Sequence, residues 1–195
     1  MDESFIHPTA DVGEGAQVGA GSHVWHAAQL MPGARVGAEC TLGKGVFVDR
    51  DVVIGDRVKL GNYACVFGGT VEDEVFIGPH AVLIQDPAPR ATNPDGTRKA
   101  VGDYRTLPPT VRHGASIGAH AVLMPGVSVG AWSMVAAGSV VNRDVPPHTL
   151  VGGNPARPLG YVCRCGGRLD EALACGACGR EHRQADEGLE EIASD

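Results

Sequence analysis

Aliphatic residues recur at every sixth position through most of the first 145 residues of the chain. A small or β-branched residue stands two positions before most of them, and the residue that follows is often glycine. The positions in this register, with a slip of one residue after the tenth, are Val12, Val18, Val24, Leu30, Val36, Leu42, Val48, Ile54, Leu60, Val66, Val71, Ile77, Leu83, Val111, Ile117, Leu123, Val129, Val135 and Val141. Such regularity indicates a structural unit of six residues.

A unit of six residues holds one short strand and one tight corner, and it is too short for a pair of helices. The chain is therefore predicted to coil, with its strands stacked in parallel about 4.8 Å apart. Each unit turns one aliphatic and one small side chain into a narrow interior, and glycine supplies backbone freedom at the corners. The pattern predicts an all-β parallel β-helix of about twenty strands, with Ile6 in the first.

The repeat is interrupted between Leu83 and Val111. Residues 84–110 hold five prolines and two glycines, and an irregular segment of this length in a compact domain is usually functional or disordered. We expect a functional loop that leaves the coil and covers a cleft shared with a neighbouring subunit. The shorter spacing after Val66 predicts a tightened corner at Gly68–Gly69.

The chain departs from the repeat a second time after Val141. Pro146 and Pro147 lack backbone amide donors, so we expect strand stacking to end there. An open end of a β-helix exposes unpaired strand edges, and the residues that follow are predicted to cover it. The predicted organisation is a β-helix over residues 1–145 with the extruded loop 84–110, a capping segment over 146–161, and a zinc-ribbon-like module with an acidic tail over 162–195.

Composition limits the functions open to the chain. A formal net charge of −7 and a pI near 5.6 argue against nonspecific nucleic-acid binding, which needs basic surface to displace counterions. No stretch approaches the roughly 20 continuous apolar residues of a membrane span. The N-terminus also lacks a charged leader followed by an apolar run. We therefore expect a cytoplasmic protein.

Four of the six cysteines cluster near the C-terminus, in pairs with glycines close by. This arrangement suits tetrahedral thiolate ligation of zinc, with His182 as a possible substitute ligand and disulfides as the alternative. Because four protein ligands leave no open coordination position, the zinc is predicted to be structural. The predicted ligands are Cys163, Cys165, Cys175 and Cys178. Cys40 and Cys65 lie inside the repeat and are predicted to be small buried residues.

Five segments make the pattern specific: SHVWHAAQL, GDRVKLGNYACVF, EVFIGPHAVLIQDPAPR, VRHGASIGAHAVLMPGVSVG and GSVVNRDVPPHTLVGGNPARPLGYVC. Together they resemble the hexapeptide-repeat acyltransferases, and within them the bacterial N-acetyltransferases of nucleotide-linked 3-amino sugars. The resemblance covers almost the whole chain to about residue 165. It implies a left-handed β-helix with three strands per coil, hence six to seven coils, and a homotrimer with active sites between subunits.

The resemblance also implies the reaction. The amine of a dTDP- or UDP-linked amino sugar would attack the thioester of acetyl-CoA directly. Members of this family usually carry an asparagine and an aspartate at the loop exit, where this chain has Gln85 and Asp86. Glutamine keeps the amide but extends its reach, and it cannot act as a base. Asp86 is a candidate proton acceptor or, alternatively, a solvated turn residue before Pro87.

The remaining site residues follow from the same resemblance. His26 is the first choice among the histidines for a base, since its ordinary pKa lies near neutrality; with Gln85 and Asp86 it completes the candidate catalytic set. Candidate substrate contacts are Trp25, Asn62, Arg90 and His113. The acetyl-CoA groove is predicted to use Ala136, Ala137, Gly138, Asn154, Pro155, Ala156 and Arg157. The Arg157 guanidinium suits a coenzyme phosphate.

Three alternatives remain. His80, His113 and His120 suggest a metal-dependent hydratase of the γ-class carbonic anhydrase type, although the last two are seven residues apart where that family has five. A noncatalytic scaffold with a zinc-ribbon docking module accounts for the repeat and the cysteines, but leaves the proline-rich loop and the Asn-Pro-Ala-Arg segment without a purpose. An O-acyltransferase of the serine or galactoside type needs a well-placed catalytic histidine, and none stands out.

Overall fold

The computed structural model describes residues 3–192, so residues 1–2 and the last three residues of the predicted acidic tail lie outside the described part. No helix in this part is long and apolar enough to cross a membrane. Its repeat region consists of two-residue strands: β1 Phe5–Ile6, β2 Asp11–Val12, β3 Gln17–Val18, β4 His23–Val24, β5 Gln29–Leu30, β6 Arg35–Val36, β7 Thr41–Leu42, β8 Phe47–Val48, β9 Val53–Ile54, β10 Lys59–Leu60, β11 Cys65–Val66, β12 Thr70–Val71, β13 Phe76–Ile77, β14 Val82–Leu83, β15 Thr110–Val111, β16 Ser116–Ile117, β17 Val122–Leu123, β18 Ser128–Val129, β19 Met134–Val135 and β20 Val140–Val141.

These strands form three parallel sheets, because each strand pairs with the third strand before it and the third after it. Face 1 starts with β1 and β4, face 2 with β2 and β5, and face 3 with β3 and β6. A coil is one passage around the three faces, and coils are numbered from the N-terminus. Corner 1 joins face 1 to face 2, corner 2 joins face 2 to face 3, and corner 3 leads back to face 1. The prediction of an all-β parallel β-helix is confirmed.

The second residue of each strand points into the interior, where aliphatic ladders run along the coil axis. On face 1, Leu42, Leu60 and Ile77 pair in register and are at most 1% exposed. Cys40 is buried as predicted. Cys65 is only partly buried, contrary to the prediction, because it occupies the outward position of β11 and side chains alternate along a strand.

The slip in the repeat lies in the fourth coil and the long interruption lies in the fifth. Corner 2 is one residue shorter at Gly68–Gly69, and Gly69 has a φ of +95°, which confirms the tightened corner. The loop leaves the same corner one coil later and is tied to the coil at its base. The N–H of Leu107 donates to the Gln85 carbonyl at 2.7 Å, and the N–H of Gly126 donates to the Leu107 carbonyl at 2.7 Å. A short 3-10 helix, Val101–Asp103, lies within it.

Strand stacking continues beyond the two prolines, so the expectation that it ends there is wrong. Strand β21, Thr149–Gly153, pairs in parallel with β19 and opens an eighth coil. Pro146 and Pro147 instead occupy corner 3 beside Gly130, where the ladder requires no amide donor. Strand β22, Ala156–Tyr161, then returns antiparallel along β21.

The cysteine-rich segment packs against this last part of the coil. It ends in the hairpin β23, His182–Ala185, and β24, Gly188–Glu191. His182 is buried at 4.8 Å from the ring of His148. His148 Nδ1 lies 2.9 Å from the Val162 carbonyl, and burial lowers the pKa of His148. The segment is therefore attached through buried side chains.

Candidate active site

Corner 1 brings together most of the residues predicted to bind the two substrates. Each coil contributes to this corner the residues that directly follow its face 1 strand. Trp25 and His26 come from the second coil and Asn62 comes from the fourth. Ala136, Ala137 and Gly138 come from the seventh. The corner forms a column parallel to the coil axis, with the predicted nucleotide contacts toward the N-terminal end and the predicted coenzyme contacts toward the C-terminal end.

The predicted coenzyme contacts come from two segments, residues 136–138 and residues 154–157. The two segments meet at the C-terminal end of this column, which is its upper end. The N–H of Gly153 donates to the Ser139 hydroxyl at 3.1 Å, and a Cβ on Gly152 would lie 3.2 Å from the Cβ of Ala136. The turn Asn154-Pro155-Ala156-Arg157 therefore projects directly beyond the corner of the seventh coil. Ala137 and Gly138 are exposed there, so an extended ligand has access to the backbone.

Arg157 stands beside this upper end with its guanidinium exposed; it lines a cavity of about 290 Å³ together with Asn142 and Arg143. The Arg157 Nη1 donates to the carbonyl of Ala156 at 2.8 Å. Two arginines and one carboxylate, that of Asp144, line this cavity, so one guanidinium is in excess there. A phosphate is the ligand such a pair of guanidinium groups suits best.

Three aromatic rings stack along the middle of corner 1. Tyr63 lies 5.1 Å from His80, and His80 lies 4.8 Å from His120 with an angle of 3° between the rings. His113 is at corner 3 instead, where its ring nitrogen is 3.5 Å from a carboxylate oxygen of Glu74. The three histidines of the hydratase alternative are thus not together in one subunit. Within residues 3–192 they form no group able to share a metal ion.

Gln85 and Asp86 lie at corner 2 of the fifth coil, at the base of the loop. They line a cavity of about 480 Å³ whose aromatic walls are Phe67 and Tyr104. The Gln85 amide rests on Gly68, since a Cβ there would lie only 2.7 Å from the Gln85 Cδ. Sequence reasoning missed both aromatic walls. Of the two, only Phe67 could have been singled out from the sequence, because it is a large residue at the corner where the repeat slips.

Asp86 lines this cavity and Arg90 does not, and the side chains of both residues bond to the backbone of the loop. The Asp86 carboxylate accepts the N–H of Ala88 at 2.9 Å and so closes a turn around Pro87. Arg90 is exposed, and its guanidinium donates to the carbonyl of Pro89. The geometry therefore agrees with the turn-forming alternative for Asp86, with one carboxylate oxygen committed to the backbone.

His26 is far from Gln85 within one subunit. It belongs to the second coil and Gln85 to the fifth, a separation of about 14 Å along the axis at about 4.8 Å per coil, and the two stand at different corners. The His26 ring stacks on His7 at 3.5 Å. The structure thus does not bring the three candidate catalytic residues together in a single chain.

Trp25, His26 and Asn62 instead share a second cavity, of about 360 Å³, on corner 1 and the adjoining part of face 1. Trp25 is 39% exposed. The Asn62 Oδ1 accepts the N–H of Lys44 at 3.0 Å, which links the third and fourth coils. Asn62 therefore has a structural bond, and its amide hydrogens remain for a ligand.

The four C-terminal cysteines converge on one point. The Sγ atoms of Cys163 and Cys178 are 3.6 Å apart, as are those of Cys165 and Cys175, and all four lie within 4.8 Å of one another. Tetrahedral zinc with bonds of about 2.3 Å separates its sulfurs by about 3.8 Å, so the donor set fits that ion. His182 is not part of the cluster.

The surroundings of these thiols differ in their effect on ionisation. Burial raises the pKa of Cys163 to about 12. The backbone N–H of Arg180 bonds to the sulfur of Cys178 and lowers its pKa to about 6. A divalent cation would favour the thiolate form of all four.

Comparison with known proteins agrees with this architecture. The family model "Hexapeptide repeat of succinyl-transferase" matches residues 10–50 and 114–143. The dTDP-3-amino-3,6-dideoxy-alpha-D-galactopyranose 3-N-acetyltransferase of Aneurinibacillus thermoaerophilus is 48% identical over 79 residues, 39% of this chain and 41% of that protein. Serine acetyltransferase 4 of Arabidopsis thaliana is 35% identical over 135 residues, 68% of this chain and 29% of that protein. The chain spans less than half the length of these curated relatives.

A solved structure shares the fold. It is a variant of AntD, an N-acyltransferase of Bacillus cereus, in complex with dTDP and coenzyme A, which superposes with a TM-score of 0.56 at 17% identity over 82% of this chain and 81% of that one. The strand register and the matched residues show that this chain is built from hexapeptide repeats, and the proteins it is similar to include acetyltransferases.

Proposed function

We propose that this protein transfers an acetyl group from acetyl-CoA to the amino group of a nucleotide-linked sugar, as a homotrimer with its sites between subunits. The observation that carries the proposal is the order of residues along corner 1. The predicted substrate contacts Trp25 and Asn62 lie in the second and fourth coils, and the predicted coenzyme contacts Ala136–Gly138 lie in the seventh. The similarity to a dTDP-amino-sugar N-acetyltransferase supports the same assignment.

The trimer gives the Gln85 loop a place in this site. A threefold axis parallel to the coil axis keeps every coil at its own height, so the fifth coil of one subunit faces the fifth coil of the next. Gln85 then stands between the nucleotide end and the coenzyme end of a neighbouring corner 1 column. His26 remains about three coils below it, or about 14 Å, and would serve the nucleotide end rather than the reacting amine.

Gln85 would orient the amine for attack. Its amide oxygen accepts one N–H of the neutral sugar amine, which leaves the nitrogen lone pair free to attack the thioester carbonyl. The new C–N bond forms a tetrahedral oxyanion, which collapses as the C–S bond breaks and coenzyme A leaves as a thiolate. The proton lost by the amine neutralises that thiolate, and the second oxygen of Asp86 is positioned near the loop to relay it.

Backbone groups at the upper end of corner 1 would hold the coenzyme arm. Within residues 3–192 the N–H of Ala137 has no hydrogen-bond partner, whereas the neighbouring N–H groups of Ala136 and Gly138 donate to Val151 and Ala119. Arg157 and Arg143 would contact the coenzyme phosphates.

The four-cysteine cluster would hold a structural zinc ion. Zinc bound there would fold the C-terminal segment against the last coil and take no part in the transfer, because four thiolates complete its coordination. The buried contact between His148 and His182 joins the C-terminal segment to the last coil.

The direct test is a screen of the purified protein against a panel of dTDP- and UDP-linked amino sugars. Thiol release from acetyl-CoA is followed, and the N-acetylated product is identified by mass spectrometry. We expect release only with a sugar that bears a free amine, and thermal stabilisation by coenzyme A alone. The proposal is wrong if no amino sugar gives product and millimolar coenzyme A leaves the melting temperature unchanged.

A further inference from the structure

The cavity beside Trp25 contains a concentration of positive charge that the predicted site residues do not explain. Its walls include the side chains of Lys44 and Lys59, from the third and fourth coils. The whole chain has three lysines and a net charge of −7, and two of the three lysines line this one cavity. Among residues 3–192 neither lies within ion-pair distance of a carboxylate.

The floor of the cavity is bare backbone. Gly43 and Gly61 occupy the positions one and two coils beyond Trp25 in the same column. A Cβ on Gly43 would lie 2.5 Å from the Asn62 Oδ1, and one on Gly61 would lie 2.5 Å from the nitrogen of Pro79. The corner thus has no side chain where Trp25 has its indole, and a flat or extended ligand is able to lie against the coil.

Three of the side chains that line this cavity offer hydrogen-bond donors only. The Asn62 oxygen is already used by the N–H of Lys44, so the Asn62 side chain has only N–H groups to offer. Lys44 and Lys59 each add an ammonium. A set of donors next to an exposed indole suits a ligand with several negative oxygens at one end and a ring at the other.

We propose that this cavity binds the nucleoside diphosphate part of the substrate, with the base against Trp25 and the two phosphates between Lys44 and Lys59. The proposal rests on the proposed function and specifies how its acceptor is held. Two coils, about 10 Å, separate Trp25 from Lys59. The sugar attached to the second phosphate then reaches the fifth coil, which is the height of Gln85.

Binding is tested without any acetyl transfer by tryptophan fluorescence. The chain has two tryptophans, Trp25 and Trp132, so Trp132→Phe leaves Trp25 as the reporter. We expect at least one of dTDP, UDP and GDP to quench its emission and to raise the melting temperature of the unaltered protein. The corresponding nucleoside should bind at least about tenfold more weakly, since hydrogen bonds to charged groups contribute about 1.5–3 kcal/mol each.

The double variant Lys44→Gln/Lys59→Gln should weaken nucleotide binding about tenfold or more and leave coenzyme A binding unchanged. Arg35→Gln is the matched control, because it removes one positive charge from an exposed position on face 3. The inference is wrong if no nucleoside diphosphate changes either the Trp25 emission or the melting temperature. It is equally wrong if the lysine double variant binds like the control.

The two proposals fail in different ways. Nucleotide binding through Lys44 and Lys59 without acetylation of any amino sugar would contradict the proposed reaction and keep the binding site. Acetylation with an unchanged KM for the nucleotide sugar in the double variant would contradict the binding site and keep the reaction.

Discussion

Gly68 offers a way to move the Gln85 amide without touching Gln85 itself. Its backbone does not need glycine, since its φ lies outside the left-handed region, but a Cβ there would lie 2.7 Å from the Gln85 Cδ and 3.3 Å from its Cβ. Gly68→Ala therefore forces the Gln85 side chain to turn away from corner 2. The closest obstructing atoms belong to the end of a flexible side chain, so the coil needs to give only a few tenths of an ångström at the Gln85 Cβ.

The cost to folding should be small and the cost to catalysis larger. Turning a side chain off its preferred rotamer costs about 0.5–1.5 kcal/mol, and the added methyl lies outside the aliphatic ladders. Loss of one hydrogen bond between Gln85 and the sugar amine, worth about 0.5–1.5 kcal/mol, lowers kcat/KM about two- to twelvefold. The KM for acetyl-CoA should not change, because the coenzyme contacts lie two coils away at another corner.

A double-mutant cycle decides whether the glycine acts through Gln85. Thiol release is measured for Gly68→Ala, Gln85→Ala and the double variant, at varied amino-sugar concentration. If the methyl acts by displacing the amide, the double variant is no slower than Gln85→Ala alone. Gly102→Ala is the matched control, since a Cβ at Gly102 meets nothing within 4 Å. Additive losses in the cycle, or an equal loss in acetyl-CoA affinity, would refute the role of Gln85 in holding the amine.

Two further predictions concern assembly and metal. Mixing Gln85→Ala subunits with Lys44→Gln/Lys59→Gln subunits, under conditions that exchange protomers, should restore part of the activity lost in each parent; no recovery in verified mixed trimers would show that one chain supplies both groups. The purified protein should hold one zinc ion per chain, measured by atomic absorption, and Cys163→Ser should lose the metal and lower the melting temperature because the C-terminal segment detaches. Full metal content in Cys163→Ser would contradict the four-cysteine site.

The six-residue period predicts the strands well, because each strand carries its own local signal. Leu42, Leu60 and Ile77 are buried where the period places them. The six-residue period does not show which corner residues of successive coils stack on one another, since that depends on the number of residues per coil. At 18 residues per coil, His26, Lys44 and Asn62 stack in one column, and that spacing is visible in the sequence. The slip at Gly68–Gly69 and the loop then shift the count, and they conceal that Tyr63, one position further along the corner, continues to His80 and His120.

Two expectations were wrong because the residue type was known and its place in the coil was not. Proline interrupts a strand because the ladder needs its amide, but Pro146 and Pro147 occupy a corner and parallel pairing resumes at β21. Cys65 is small and lies inside the repeat, which predicts burial, but it stands one position before a buried aliphatic and so occupies the outward side of the strand. In both cases the local residue type was read correctly and its place in the coil was not.

The order of groups along corner 1 has a consequence for the reaction as a whole. The donors that suit a diphosphate are in the third and fourth coils, and the exposed backbone and arginines that suit coenzyme A begin at the seventh. Under the proposed function, the reactive atoms of the two substrates would therefore meet at the fifth and sixth coils. Gln85 stands at that height but at corner 2, on another edge of the same prism. The proposed site would then combine corner 1 of one subunit with the loop base of its neighbour, so assembly of the trimer would itself be the condition for activity.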